Sequence, residues 1–503
     1  MPSTRRAITE PPETDQKHYE KWVMYTQGLS YYVKYIYILQ VFQRIMKDNA
    51  SLKTIRKDSM AQQHTYTYNI KGGQPVVGEI RCLGAKNFTT KAMVAALLGD
   101  TPTILTNVPP IGDVIITSEM LTSIGVKVEL IDHGRMCIDA SSIQETHVPT
   151  PHSGSNRIPI LMLGALLHRF KTVSVPFVGG DQIGLRSVDF HLGAIEQFGG
   201  KVETTDHGFV ASRNGGLKGT HIKLPYPSVG ATETCLYLGV LAEGRTTISN
   251  AAIEPEVFEL ITMLRAMGAI IFTSSGRDIR IEGVKRLTGT NMKVMGDRIE
   301  AASWACLACA SDGDITVRGI RPETLGNFLS YYQQVGGGIE LVEASSLRFF
   351  RKEPLRPAII ETDVYPGFST DWQQPFAVLL SQANGISIIH ETVHENRFGY
   401  LKELDRLGAK TQLTTHCLGG VTCRYRESSY DHSAIIIGPT PFTAVDQIAT
   451  PDLRAGLAYV IAAAVARGTT MVTGIDLLER GYGNIVPRLA AMNLDIERIP
   501  IDS

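Results

Sequence analysis

The sequence predicts an α/β fold built from six copies of one supersecondary unit. Two patterns predict it, and they recur in the same order along the chain, which chance rarely produces. The first is an apolar helix-like stretch that ends in a turn and leads into a strand-like segment. The second is a short strand-like segment that precedes each of these turns. Its six copies begin at Gly99, Phe170, Gly244, Gly313, Gly385 and Gly468.

The turns of the first pattern contain a Gly in five copies and an Asn in the last. They lie at Gly125, Gly199, Gly268, Gly336, Gly408 and Asn493. Gly ends a helix well because it adopts the left-handed conformation without steric cost, and Asn is the next best residue there. Apolar and polar residues alternate after the turns, as in Lys127–Leu130, which predicts strands.

The turns recur about every 70 residues, a longer period than the roughly 20–50 residues usual for solenoids, so we expect a closed arrangement. Each unit holds at least two strands, and we expect two helices as well. At roughly 100–200 residues per domain, six units indicate two domains of three units each.

Composition excludes several classes of function. The 503 residues carry a net charge of −1, which gives no electrostatic reason to expect a nucleic-acid or membrane partner. No apolar run reaches the roughly 18 residues of a membrane span, and the start does not resemble a signal peptide. The seven Cys are scattered, and Cys306 and Cys309 are interpreted as packed thiols because no second pair accompanies them. We expect a cytoplasmic protein.

Residues 1–65 lie outside the repeat and are rich in Tyr and Lys. One interpretation is a helical or partly ordered extension, with Met60 as the true start. The other is a helix that binds a partner. The sequence leaves both open.

Two segments in the first half suggest chemistry. Lys86 and Asn87 open a helical stretch, where they form either an anion and hydroxyl site or a solvated Lys beside a capping Asn. In the segment Val178–His191, three glycines surround Asp181, and Arg186 follows. This segment is either a loop that brings one carboxyl group to a ligand or an ordinary surface hairpin.

Three segments in the second half add charged residues. Asp371 precedes a helical stretch, where it is either a cap or a general base. The segment His390–Arg397 has the residue types of a metal cluster, but an extended chain would separate the ligands, so we expect no metal there. Arg454 and Arg480 each lie near a helix start. Nucleotide hydrolysis, hydride transfer and acyl-enzyme chemistry are disfavoured, because the sequence lacks their motifs.

Together these segments resemble the UDP-N-acetylglucosamine enolpyruvyl (1-carboxyvinyl) transferases of peptidoglycan synthesis. The resemblance extends from about Tyr66 to Ile499. It depends on nine motifs in register, which are Gly84–Asn87, Gly179–Arg186, Pro227–Thr232, Asn250–Glu256, Gly296–Ile299, Pro366–Asp371, Glu391–Arg397, Asp452–Arg454 and Arg480–Tyr482.

The resemblance implies two domains, each of three βαβαββ-type units around a pseudo-threefold axis, with the active site in the cleft between them. One domain would span 86–295, and the other would combine 66–85 with 296–503. Three of the predicted turns fall in each domain.

The implied reaction transfers the enolpyruvyl group of phosphoenolpyruvate to the 3-hydroxyl of UDP-N-acetylglucosamine and releases phosphate. It proceeds by addition and elimination through a tetrahedral ketal, with no metal and no organic cofactor. By resemblance Asp181 protonates the methylene carbon, Asp371 takes the sugar hydroxyl proton, and Lys86 is a catalytic cation. The sequence does not give the oligomeric state, and we expect a monomer.

The resemblance implies further contacts. Those to phosphoenolpyruvate are Lys86, Asn87, Arg186, Arg454 and Arg480. Those to the UDP-sugar are Asn87, Arg157, Arg186, Ser187, Val188, Asp189, Phe190, Ser228, Val229, Gly230, Asp371 and Val393. Residues that support these contacts or domain closure are Glu254, Arg298, Arg397 and His191.

Three residues depart from the usual family pattern. Asp181 stands where most members carry Cys, so we predict resistance to fosfomycin, which alkylates that thiol. Ser187 replaces a usual Pro, and Tyr226 stands near where a Lys often reaches the diphosphate. The loss of that Lys leaves open transfer to another uridine nucleotide such as UMP. A catalytically silent binding paralogue is the third alternative, which the retained charged residues disfavour.

Overall fold

The computed structural model describes residues 65–132, 134–149, 154, 156–180, 187–420, 423–426 and 428–501. The predictions for residues 1–64, and those for Asp181 and Arg186, lie outside these ranges. Within them no helix is long and apolar enough to cross a membrane.

Strands and helices alternate along the described chain. The strands are β1 (Thr65–Gly72), β2 (Val77–Arg81), β3 (Thr103–Thr106), β4 (Lys127–Asp132), β5 (Arg135–Asp139), β6 (Thr172–Pro176), β7 (Gly200–Thr205), β8 (Gly208–Arg213), β9 (His221–Lys223), β10 (Arg245–Ser249), β11 (Ile270–Thr273), β12 (Ile279–Glu282), β13 (Asn291–Lys293), β14 (Asp314–Arg318), β15 (Gly337–Glu343), β16 (Ser346–Arg351), β17 (Ile359–Glu361), β18 (Gly385–His390), β19 (Lys410–Thr414), β20 (Ser433–Gly438), β21 (Gln447–Ala449), β22 (Gly468–Thr473) and β23 (Asp495–Ile501).

The α-helices are α1 (Lys86–Ala95), α2 (Gly112–Ser123), α3 (Ile158–Leu166), α4 (Asp189–Gln197), α5 (Val229–Gly239), α6 (Pro255–Ala266), α7 (Arg298–Ala310), α8 (Phe328–Gln334), α9 (Gln373–Ser381), α10 (Leu401–Arg406), α11 (Leu453–Val465), α12 (Ile475–Glu479) and α13 (Ile485–Ala490). Short 3-10 helices cover Ala96–Leu98, Pro322–Leu325, Thr370–Trp372 and Phe398–Tyr400.

Both sequence patterns form the predicted structure in all six repeats. The helices α2, α4, α6, α8, α10 and α13 each end before a turn residue, and the strands β4, β7, β11, β15, β19 and β23 follow. The five glycines have φ between 90° and 111°, and Asn493 has φ 62°. All six turn residues therefore adopt the backbone conformation that favours Gly and Asn. The second pattern becomes β3, β6, β10, β14, β18 and β22.

Each repeat contributes one small sheet. The strand orders are β13-β3-β5-β4, β6-β8-β7, β11-β12-β10-β9, β15-β16-β14-β2, β17-β18-β20-β19 and β21-β22-β1-β23. In every sheet the strand of the second pattern pairs antiparallel with one neighbour, and in five sheets it also pairs with a parallel strand. The antiparallel neighbour belongs to the hairpin of the same repeat in five sheets and is β1 in the last. The sheets thus repeat one plan six times.

The first two described strands complete the sheets of the fourth and sixth repeats. Strand β1 pairs with both β22 and β23, and β2 pairs in parallel with β14. Strand β13 returns to pair with β3 of the first repeat. These pairings support a discontinuous domain of 66–85 with 296–503 beside a domain of 86–295. The domain boundaries themselves stay a prediction.

One inner helix from each repeat lies in the core. Helices α7, α9 and α11 pack against one another, and every residue of α7 and α9 is buried. In the first three repeats α3 packs against both α1 and α5. Because these helices occupy equivalent places in the repeats, the residues at their N-termini are equivalent too.

Candidate active site

The six inner helices place predicted site residues at equivalent positions. Lys86 and Arg298 begin α1 and α7, and Arg454 is the second residue of α11. Asp371 lies in the 3-10 helix directly before α9, while Arg157 and Ser228 are the residues before α3 and α5. The N-terminus of a helix carries a partial positive charge and unpaired N–H groups, which favour anions. The repeat therefore presents such groups beside four cations, one carboxylate and one hydroxyl.

Asp371 is held between two arginines. Its Oδ1 accepts a hydrogen bond from Arg397 Nη2 at 2.6 Å, and its Oδ2 lies 2.9 Å from Arg454 Nη2. Burial alone would raise the pKa of Asp371, but Arg454 and Arg397 outweigh it and hold that pKa well below its usual range. The carboxylate is therefore ionised, although 22% of its side chain is exposed and can meet a ligand.

Both arginines are fixed by further contacts. Arg454 Nη1 donates to the Tyr482 hydroxyl at 2.6 Å. Asp452 caps α11 by accepting from the backbone N–H groups of Arg454 and Ala455. The side-chain oxygen of Gln374 accepts a hydrogen bond from Arg397 Nε at 2.8 Å. These contacts restrict the guanidinium groups to orientations that face Asp371.

A second cluster joins Lys86 and Arg480 through Asp113, the second residue of α2. Arg480 directly follows α12, so it lies at the end of that helix and not near a helix start as predicted. Lys86 Nζ lies 2.9 Å from Asp113 Oδ2, and Arg480 Nη2 lies 3.0 Å from Oδ1. The Asp113 side chain is only 5% exposed. Burial raises its pKa, but Lys86 and Arg480 outweigh that effect and hold the pKa of Asp113 below its usual range. The sequence analysis missed Asp113, which carries no motif of its own.

The loop that carries Asp371 rests on the other domain predicted from the sequence. Glu254 Oε1 accepts from the Tyr365 backbone N–H at 3.4 Å. Arg298 and Glu256 form a buried ion pair at 2.9 Å. The Arg298 guanidinium also lies 5.8 Å from the centre of the Tyr365 ring. Glu254 and Arg298 thus lie between the two predicted domains, and their supporting role stays a prediction.

The predicted nucleotide-sugar residues surround the start of α5. Ser228 Oγ accepts from the Ala231 backbone N–H at 3.4 Å and caps this helix. A Cβ at Gly230 would lie 2.9 Å from His191 Cε1, so Gly lets the helix approach the imidazole. Burial lowers the pKa of His191 to about 3, and its Nδ1 lies 2.7 Å from Thr234 Oγ1. His191 is therefore a neutral packing group beneath the helix start.

Arg157 contacts the segment that precedes α4. Arg157 Nη2 donates to the Ser187 carbonyl at 3.3 Å. Val188 precedes α4, which begins at Asp189, and the Phe190 ring is 38% exposed. Asn87 is the second residue of α1, and its side chain is half-buried.

Val393 lies in a loop that buried groups hold. The Glu391 carboxylate Oε1 accepts from the backbone N–H groups of Val393 at 2.6 Å and His394 at 2.8 Å. The Val393 carbonyl accepts from the Tyr425 hydroxyl at 2.6 Å and from Arg424 Nη2. The Arg424 guanidinium lies 4.8 Å from the centre of the Tyr226 ring. A cation therefore lies beside the position where the sequence analysis noted a missing Lys.

Among the described residues, the structure thus brings the predicted ones together as two charged clusters and a surface around the start of α5. The cluster of Lys86, Asp113 and Arg480 and that of Asp371, Arg397 and Arg454 lie close enough for Lys86 to affect the pKa of Asp371. No cofactor-binding motif accompanies them in the sequence. Such a site can hold a small ligand with two anionic groups and can accept a proton from a neighbouring hydroxyl.

Comparisons with known proteins identify the fold and the family. The chain matches the family EPSP synthase (3-phosphoshikimate 1-carboxyvinyltransferase) over residues 70–489. Among solved structures, the enolpyruvyl transferase NikO from Streptomyces tendae superposes with a TM-score of 0.77 at 23% identity, covering 87% of this chain and 100% of NikO. EPSP synthase from Acinetobacter baumannii gives a TM-score of 0.68 at 17% identity, covering 86% of this chain and 100% of that protein. At these identities the likeness establishes the fold.

Sequence relatives are much nearer. The UDP-N-acetylglucosamine 1-carboxyvinyltransferase of Protochlamydia amoebophila (strain UWE25) is 45% identical over 437 residues, which cover 86% of this chain and 94% of the relative. The protein of the same name from Chlamydia abortus is 45% identical over 435 residues, which cover 86% of this chain and 98% of the relative. The chain belongs to the UDP-N-acetylglucosamine 1-carboxyvinyltransferase family.

Proposed function

We propose that this protein transfers the enolpyruvyl group of phosphoenolpyruvate to the 3-hydroxyl of UDP-N-acetylglucosamine, with release of phosphate. The observation that carries the proposal is the pair of charged clusters around Asp113 and Asp371, in a chain of this family. We further propose that the enzyme acts in the cytoplasm as a monomer.

Lys86, Arg454 and Arg480 bind the carboxylate and phosphate of phosphoenolpyruvate. Their charges offset the negative charge of the ligand and stabilise charge that develops during addition. The planar guanidinium groups match the paired oxygens of both anions. Arg186 and Asn87 complete this contact. Asp113 holds Lys86 and Arg480 at the spacing that two neighbouring anionic groups need.

Asp371 is the base for the sugar hydroxyl. Without ligand its pKa is too low for efficient proton transfer, because Arg397 and Arg454 both contact it. When phosphoenolpyruvate draws Arg454 toward its own anionic groups, the pKa of Asp371 rises, and burial raises it further. Binding of the first substrate therefore prepares the base for the second.

Asp181 is the acid for the methylene carbon. In the addition step its proton forms the methyl group while the 3-oxygen of the sugar bonds to the adjacent carbon and Asp371 takes the hydroxyl proton. The resulting ketal loses phosphate and a methyl proton, which restores the double bond. A carboxyl group serves as an acid near neutral pH when closure of the loop excludes water and raises its pKa.

The UDP-sugar lies against the start of α5 and the Val393 loop. The N–H groups of Val229 and Gly230 and the Ser228 hydroxyl favour the diphosphate there. Arg424 supplies the positive charge that the Lys found in many relatives would supply at Tyr226. Ser187, Val188, Asp189 and Phe190, with Arg157, contact the nucleoside.

The test is phosphate release from phosphoenolpyruvate with UDP-N-acetylglucosamine, with UMP, or with no acceptor. We expect release with the UDP-sugar only, and its loss in Asp371→Ala. Release with UMP alone would move the acceptor to another uridine nucleotide. No release with any acceptor, from folded protein, would contradict the proposed activity.

A further inference from the structure

Four potential metal ligands lie together at one end of the fifth sheet. They are His390, Cys417, Cys423 and His432, and their ligand atoms all lie within 4.8 Å of one another. Cys417 Sγ lies 3.5 Å from Cys423 Sγ and 3.4 Å from His432 Nε2. With metal–sulfur bonds of about 2.3 Å and metal–nitrogen bonds of about 2.0 Å, ligands of a tetrahedral zinc ion lie roughly this far apart.

The strand register creates this cluster. His390 ends β18 and pairs with Ser433, the first residue of β20, so His432 lies beside it. Cys417 and Cys423 come from the segment that joins β19 to β20. His390, Cys423 and His432 are buried, and Cys417 is half-buried. Ligands from separate segments thus meet at one end of the sheet.

The two histidines are prepared for a metal in different ways. His432 Nδ1 lies 2.8 Å from the Tyr430 carbonyl, so the proton belongs on Nδ1 and the Nε2 lone pair faces Cys417. Such a bond to the second ring nitrogen is characteristic of metal-binding histidines. Among the residues that the structure describes, neither ring nitrogen of His390 has a hydrogen-bond partner, and the side chain is fully buried. A buried polar group of this kind costs free energy unless a partner satisfies it.

Glu361 gives His390 what the Tyr430 carbonyl gives His432, which is an acceptor beside the ring nitrogen that does not bind the metal. Its Oε2 lies 3.9 Å from His390 Nδ1. A metal on Nε2 would leave the Nδ1 proton facing this carboxylate, as in carboxylate–histidine–zinc sites. A Cβ at Gly419 would collide with both Nδ1 and the Glu361 carboxyl group, so only Gly lets the segment approach so closely.

We infer that His390, Cys417, Cys423 and His432 bind one Zn²⁺ ion. Two thiolates and two imidazoles are a typical ligand set for structural zinc, and four protein ligands leave no open position for catalysis. Binding releases the two thiol protons, because thiolate is the ligating form. The sequence analysis expected no metal in the segment His390–Arg397, and this inference departs from that expectation at His390.

The ion has a consequence for the substrate site, and this step rests on the proposed function. The segment between Cys423 and His432 includes Arg424 and Tyr425, which both contact the Val393 carbonyl. Arg424 also lies over Tyr226. By fixing this segment, the zinc ion positions Arg424 beside the UDP-sugar.

The first test is the zinc content of the full chain. The protein would be purified without an affinity tag under reducing conditions, and zinc would be measured by inductively coupled plasma mass spectrometry. We expect close to one zinc atom per chain in the wild type and in the control Cys137→Ser. Cys137 lies on β5 and outside the cluster. Zinc should be lost in Cys417→Ser combined with Cys423→Ser.

A second measurement keeps the inference testable if that variant fails to fold. Wild-type protein stripped with a chelator and loaded with Co²⁺ should show the intense visible bands of tetrahedral cobalt with thiolate ligands. Cys137→Ser should show the same bands. Wild-type protein with no more zinc than a buffer blank and no cobalt bands would overturn the inference. A Cys417–Cys423 disulfide, located by peptide mass mapping in wild-type protein as purified under reducing conditions, would overturn it too.

Metal analysis also separates this inference from the proposed function. Zinc present in a protein that lacks transferase activity would support the metal site while the function fails. Transferase activity in protein without zinc would support the proposed function and overturn the metal site. If both hold, chelation should raise the KM for the UDP-sugar more than it lowers kcat.

Discussion

Asp113→Asn tests whether one buried carboxylate organises the phosphoenolpyruvate side of the site. The substitution keeps the shape of the side chain and removes the charge that lies between Lys86 and Arg480. Those two side chains are 17% and 12% exposed, so solvent compensates only in part. Removing one member of a buried ion pair costs roughly 3–5 kcal/mol, and we expect about 3 kcal/mol because both cations retain some exposure.

The assay is urea unfolding near neutral pH, with initial rates over a range of phosphoenolpyruvate concentrations. The matched control is Asp312→Asn, since Asp312 pairs with Arg351 at 3.4 Å but its side chain is 67% exposed. Such a surface pair contributes less than about 1 kcal/mol. We expect the KM for phosphoenolpyruvate to rise in Asp113→Asn, because the two cations repel each other and lose their spacing.

The pH dependence of this difference has a defined sign. The pKa of Asp113 is lower in the folded protein than in the unfolded chain. Its contribution to stability is therefore fully present above the unfolded pKa of about 3.9 and is lost as the pH falls through the folded value. Wild type and variant should differ by a constant amount near neutrality and converge in acid. Unfolding free energies and KM values equal to those of Asp312→Asn would refute the reasoning.

Three further predictions concern the other groups of the site. Ser228→Ala removes the cap of α5 and should cost about 1 kcal/mol in urea unfolding, with a higher KM for the UDP-sugar; an unchanged KM would contradict the contact. Arg424→Leu should raise that KM about 5-fold with little change in kcat, as expected for loss of a cation worth about 1 kcal/mol beside Tyr226; equal initial rates at low UDP-sugar would contradict it. Asp181→Cys should be labelled and inactivated by fosfomycin while the unmodified protein is not, which intact mass measures directly. Stoichiometric labelling of the unmodified protein would refute this.

The repeat was predictable because its signals are local. A left-handed residue at each helix end and an alternating strand after it are set by a few neighbouring residues, as Gly125 and Asn493 illustrate. The residues at the starts of the inner helices, such as Lys86 and Arg454, were predicted through motifs in the same register. The roles assigned to them stay predictions until they are tested.

Long-range contacts were not predictable in the same way. Asp113 meets Arg480, which is 367 residues away in the sequence, and no local pattern marks that pairing. The four ligands of the proposed zinc site come together only through the register of β18 and β20. Their spacing in the sequence does not match the common pairs of closely spaced Cys, so the cysteines looked scattered. The burial and the contacts of Asp113 and of these four ligands depend on how distant segments pack together.

The identity of the nucleotide product tests the central claim most directly. The protein would be incubated with phosphoenolpyruvate and UDP-N-acetylglucosamine, and the product examined by proton and carbon NMR. We predict vinyl protons of an enolpyruvyl ether attached at the 3-position of the sugar, formed in step with phosphate and absent in Asp371→Ala. Phosphate release that leaves UDP-N-acetylglucosamine unchanged would contradict the account, because it would mean hydrolysis of phosphoenolpyruvate without transfer.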